Sequence, residues 1–148
     1  MMKLKLPLFL TRMSIAVFLL PWIVMRFLAP ENAIHITQKY YKVNALTEHN
    51  INIDFGSLLQ NEHARYIVYG IGVLWAILWI AFVLGVKKRL SYGLVFLLHL
   101  IGTLFTLPYF IPNTAQFNIM FFAALPTLMA MLLLYLLRKE DTLLAFGE

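Results

Sequence analysis

The chain has 148 residues, of which 61% are hydrophobic and 13% charged, with a net charge of +5 and no cysteine. A mean hydropathy of +0.79 is too high for a soluble domain of this length, so residues 1–148 read as a single membrane domain. The absence of thiols excludes disulfide exchange, thiolate catalysis and cysteine-held metal clusters, and the positive charge gathers at the ends of apolar runs as a topological bias, with no nucleic-acid footprint.

Apolar runs fall at about 8–27, 66–86, 91–110 and 115–137, each near the ~20 residues that cross a bilayer core. Backbone in lipid must satisfy its own hydrogen bonds, so each run is expected to be a helix. The fold class that follows is an all-α integral membrane protein. It is expected to be an up-down four-helix transmembrane bundle, with one extra-cytoplasmic amphipathic helix between the first two spans, in an outer segment at 29–64. Lys3, Lys5, Lys87, Lys88, Arg89, Arg138 and Lys139 collect at one side, while Lys39, Lys42 and Arg65 on the other are balanced by Glu31, Glu48, Asp54 and Glu62. The positive-inside rule therefore places both termini in the cytoplasm. The first run is long and lacks an A-x-A site, so it reads as a retained helix in place of a cleaved signal.

Span one carries Arg12 about one turn inside its cytoplasmic end. Two readings stand for it: a side chain that snorkels to the headgroups, or one that turns into the bundle and pairs with a buried acceptor. Pro21, Trp22, Arg26 and Pro30 mark the outer end, where tryptophan prefers the headgroup level. From Pro30 to about Val43 the chain reads as a helix, with proline at its start, Glu31 in the first turn, and Ala33, Ile36, Tyr40 and Val43 forming one apolar stripe. It is too short and polar to span, so it is expected either to lie in the outer interface or to cap the bundle as a lid. Residues 44–56 show no sustained period and read as loop. From Ser57 the pattern turns helical and is expected to run without a break into span two.

Span two places Trp75 and Trp79 on one face, which reads either as packing or as a wall for a planar apolar ligand. Span three holds His99 about ten residues in, with Thr103 and Thr106 on or beside the same face, and span four adds Asn118 and Pro126. Polar groups at this depth face a neighbouring helix or a wet cavity. His99, Thr103, Thr106 and Asn118 thus form a candidate seam that either locks helices together or hydrogen-bonds the carbonyl of a quinone-like ring. Trp22, Arg26, Trp75 and Trp79 are the further candidates for holding such a ligand. Haem is disfavoured, because a second imidazole at the depth of His99 is missing and His35, His49 and His63 lie in the outer segment. Those three match no compact metal-ligand spacing. No catalytic triad, phosphate loop or pair of membrane carboxylates is present, so no catalytic residues are assigned.

Arg12, Trp22, Arg26, the Pro30-Glu31-Asn32 exit, Tyr40-Tyr41, Leu98-His99-Leu100 and the 118–126 stretch together resemble the DoxX-like family of small four-helix bacterial inner-membrane proteins. The resemblance implies a multi-pass protein of the cytoplasmic membrane, associated with quinol oxidase or thiosulfate:quinone oxidoreductase subunits or serving as an accessory factor. The implied function is an accessory subunit of a redox-linked assembly, with a lipid or quinone pocket and with the bilayer, membrane redox subunits or further copies of itself as partners. A stand-alone quinone-dependent oxidoreductase and a small-solute carrier are the alternatives. The lack of cysteine departs from relatives that handle thiols.

Overall fold

The computed structural model describes residues 4–46, 51–107 and 122–147. In chain order these form α1 (Lys5–Leu28), α2 (Pro30–Tyr40), the strands β1 (Lys42–Leu46) and β2 (Ile51–Asp54), a 3-10 helix (Phe55–Leu59), α3 (Ala64–Val83), α4 (Lys88–Thr106) and α5 (Ala124–Leu136). Helices α1, α3 and α4 are long and apolar enough to cross a membrane, and α5 is a shorter apolar helix. Helices α1, α3 and α4 overlap the first three runs read from the sequence. The expected end of the third run and start of the fourth lie outside the described residues.

Why these segments bury what they bury follows from their spacing. In α1, Leu8, Arg12, Ile15, Ala16, Leu19 and Ile23 are buried, and steps of three and four put them on a single face. That face meets α3 on one side and α5 on the other, while α4 packs against both α3 and α5. The core is drawn from all four long helices, with Leu8, Ile15, Ala16 and Leu19 meeting Phe82, Tyr92, Val95, Met131 and Leu134. The outward faces are apolar as well: Val17 and Leu74 are each 69% exposed, and only 17% of the most apolar stretch of α3 is buried. Water would not support a continuous apolar face of that extent, whereas lipid would. The chain is therefore a membrane protein.

At the end of the structure where α1 begins, the chain after α5 folds back across the helix ends. Arg12 and Asp141 are both fully buried and paired, Arg12 Nη1 lying 2.9 Å from Asp141 Oδ2. The same Nη1 donates to the Tyr92 hydroxyl at 3.0 Å, and that hydroxyl donates to Asp141 Oδ2 at 2.7 Å. Nη2 donates to the carbonyls of Leu143 and Leu144 at 2.8 and 2.9 Å. Lys88, also buried, donates to the Asp141 carbonyl at 3.1 Å, and the Phe146 amide donates to Leu84 O at 3.0 Å. Gly85, at φ +60°, sits where an added Cβ would lie 2.7 Å from both Arg12 Nη1 and Ala145 Cβ. Only glycine combines that backbone with so close an approach. Of the two readings open for Arg12, the structure takes the buried pair.

The opposite end is capped by the segment between α1 and α3. Pro30 opens α2 as read, but the helix ends at Tyr40, with Lys42 and Val43 in β1, and its buried residues are Ala33 and Ile34, so the packed face is turned from the expected stripe of Ala33, Ile36, Tyr40 and Val43. Ala33 and Ile34 pack with Leu59, Ala64, Val68 and the half-buried Met25. Two further expectations are corrected here. Residues 44–56, read as loop, contain most of an antiparallel pair with Lys42 opposite Asp54 and Leu46 opposite Ile51, and a bulge between Val43 and Leu46. The stretch from Ser57 does not run straight into α3, because the Asp54 carboxylate accepts from the Ser57 amide at 3.1 Å and starts a 3-10 helix that ends at Leu59. Gln38 Nε2 holds the Leu59 carbonyl at 2.8 Å. A Cβ on Gly56 would stand 2.7 Å from Gln38 Cα, so this cap depends on a backbone-to-backbone approach.

Two predictions follow from the two ends. Arg12→Met or Asp141→Leu alone should cost about 3–5 kcal/mol, by leaving a buried charge without its partner, and the double variant should recover much of that loss. Unfolding midpoints in detergent would check both. Glu31→Gln, which breaks the exposed ion pair to Arg65, should change stability by less than about 1 kcal/mol.

Candidate functional site

His99 lies on α4, eleven residues beyond Lys88 and so about 16 Å along the helix from its cationic end. Its half-buried ring meets Phe18 of α1 edge-on, with centroids 6.1 Å apart, and interacts with the Ala124 backbone where α5 begins. Three helices therefore converge on this imidazole. Its Nε2 is buried and has no hydrogen-bond partner among the described residues. A buried ring nitrogen without a partner forfeits its hydration, and such an atom calls for a ligand or another polar group.

Thr103 and Thr106 are buried on the same helix. Thr103 donates back to the His99 carbonyl at 2.8 Å, and Thr106 to the Thr103 carbonyl at 3.0 Å. Their protons are committed to the helix backbone, and their oxygens remain as acceptors. Above them, a Cβ on Gly102 would lie 3.3 Å from the Tyr41 hydroxyl. The Tyr41 ring packs on Phe105 at 5.7 Å, and Phe55 meets Phe105 edge-on at 5.2 Å. The segment between α1 and α3 thus closes directly over this face of α4. Burial raises the pKa of the Tyr41 phenol and the nearby Arg26 charge opposes that rise, so the hydroxyl stays protonated over the physiological range.

The remaining candidates scatter around the helices. Arg26 turns back to donate to the Trp22 carbonyl, and Trp22 itself is 45% exposed on the outer face of α1. Trp79 is half-buried against the core, and its indole N–H donates to the Ala16 carbonyl at 2.8 Å, tying α3 to α1. Trp75 is half-buried on the same helix. Among the described residues no ring contact or hydrogen bond joins either tryptophan to His99. Asn118, the fourth member of the seam, lies outside the described residues, as do Tyr109 and His49. His35 and His63 are exposed, and no group of three metal-ligating side chains occurs among the described residues.

One feature of the site had no sequence counterpart. A groove of about 530 Å³ opens between α1 and α5, lined by Ser14, Ile15 and Phe18 on one side and Pro126, Thr127 and Ala130 on the other. Phe18 is common to the groove and to the His99 contact, so this ring is the wall between them. Thr127 donates to its own helix at Ala123 O, 2.7 Å away. The lining is apolar with a few hydroxyls, and the volume falls in the range of small-molecule sites.

Arg12's acceptor was also missed, although a signal existed. Of the acidic residues, Glu31, Glu48, Asp54 and Glu62 fall between the first two long helices, which leaves Glu140, Asp141 and Glu148 to reach the start of α1.

Trp79→Phe should remove the indole bond to Ala16 while keeping the ring, and should cost about 1 kcal/mol. Thermal unfolding in detergent, with helix content unchanged, would check this.

Compared with models of known protein families, with curated proteins and with solved structures, the chain matches none.

Proposed function

We propose that the chain is a DoxX-like protein of the bacterial cytoplasmic membrane that crosses the bilayer four times with both termini inside. In this reading it is a non-catalytic accessory subunit of a redox-linked assembly associated with quinone or quinol. It holds a quinone or lipid molecule between α1, α4 and α5. The observation that carries the reading is the buried, unpartnered Nε2 of His99 behind Phe18. That nitrogen would hydrogen-bond the carbonyl or hydroxyl of a quinone or quinol ring according to which ring nitrogen carries the proton, while the groove along α1 and α5 would take the attached chain.

A holding role fits the side chains better than a chemical one. Helices α1, α3, α4 and α5 contain no Asp or Glu, so a carboxylate proton relay or the paired acidic sites of many carriers would have no groups to use. The threonine protons beside His99 are already engaged.

The test is purification in mild detergent, followed by quinone extraction and mass spectrometry of copurifying proteins. His99→Leu should lower the quinone retained per protein by about tenfold, the worth of one buried hydrogen bond, without lowering the thermal midpoint. Equal retention would remove the ligand assignment. Failure to recover any redox subunit in stoichiometric amount would remove the accessory role.

A further inference from the structure

At the junction of α4 and α5 on the Arg12 side, a groove of about 270 Å³ is lined by Lys87, Arg89, Leu90 and Tyr135. The Arg138 guanidinium lies 4.7 Å over the Tyr135 ring and donates to the Tyr135 carbonyl at 2.9 Å. A third cation is thereby held beside the groove. Lys87 adopts a left-handed conformation, φ 44°, and α4 starts directly after it with neither a side-chain cap nor an acidic residue in its first turn. The positive end of the helix dipole therefore adds to the lysine and arginine charges.

The local carboxylates do not neutralise this cluster. Asp141 is buried on Arg12, and Lys88 is turned inward to the Asp141 carbonyl. Lys87 and Arg89 are exposed and have no ion-pair partner among the described residues, and Glu140 is the one exposed carboxylate beside Arg138 and Lys139. Below the cations the surface turns apolar at once. Leu90 is 57% exposed, and Leu94, one turn deeper, is 37% exposed. Cations over an apolar helix face at the membrane boundary match the two parts of a phospholipid.

We propose that this groove binds the phosphate of an anionic phospholipid, held by Lys87, Arg89 and Arg138, with an acyl chain lying along Leu90 and Leu94. The assignment rests on the membrane reading and is independent of what occupies the site at His99. Guanidinium groups suit the phosphate oxygens, and Leu90 and Tyr135 supply the apolar part of the lining.

Native mass spectrometry of the detergent-purified chain tests it, with added phosphatidylglycerol, phosphatidylcholine or inorganic phosphate. Phosphatidylglycerol should bind about tenfold better than phosphatidylcholine. The Lys87→Gln/Arg89→Gln variant should lose that preference, and Lys39→Gln at the opposite end should keep it. Arg89→Gln alone should give an intermediate preference, and lipid-free thermal midpoints matching the parent would show that folding is intact. Equal binding of the two lipids would overturn the proposal, as would equal loss in the Lys39 variant. Competition by equimolar inorganic phosphate would reassign the site to a soluble anion and overturn the lipid. A chain that stayed soluble without detergent would instead defeat the membrane reading, which separates the two failures.

Discussion

A guanidinium placed about two turns inside an apolar helix has to be matched by an anion and by acceptors, because water is not there to solvate it. Arg12 meets that demand with the Asp141 carboxylate, the Tyr92 hydroxyl and two tail carbonyls. The consequence is architectural. Asp141 follows α5, so satisfying Arg12 requires the tail to fold back under the bundle, beside the turn at Gly85 and against Lys88. One electrostatic requirement thus couples α1, the α3–α4 turn, α4 and the tail.

The pair is not an ideal one. Arg12 Nε and Asp141 Oδ1 are buried without a partner among the described residues, and a buried ion pair of this kind returns less than its Coulomb attraction implies. Its effect is better described as specificity: few other arrangements of the tail would satisfy the arginine. Clamped at this end and capped at the other by α2, the hairpin and the 3-10 helix, the long helices present two different environments. Between the two ends, His99 and the α1–α5 groove are apolar with one unmatched nitrogen. At the clamped end, Lys87 and Arg89 are exposed and Arg138 lies over the Tyr135 ring, while the neighbouring Asp141 is engaged by Arg12.

The segment between α1 and α3 shows why short elements escape a sequence reading. The strand residues in Lys42–Leu46 and Ile51–Asp54 include asparagine and aspartate, which are poor strand formers, and their pairing is interrupted by a bulge, so no clean alternation reaches the sequence. The break between Ser57 and α3 is similar. It comes from the Asp54 cap and from the closeness of Gly56 to Gln38, and neither partner can be found by following one helical period. By contrast, Pro30 at the start of α2 and the spacing of buried residues in α1 are local features, and the structure follows them.

What the sequence by itself determined is the membrane environment, three apolar helices long enough to span it and the helix after Pro30. Each is a property of a contiguous run, set by hydropathy, helical rise and backbone hydrogen bonding. The tertiary structure alone decided the partner of Arg12, the placement of Phe18 against His99, the use of Trp79 as a tie to Ala16 and the two grooves. Arg12 and Asp141 lie 129 residues apart. Contacts over such separations depend on how the helices rotate and pack, and one chain's pattern of apolar and polar residues leaves that rotation open.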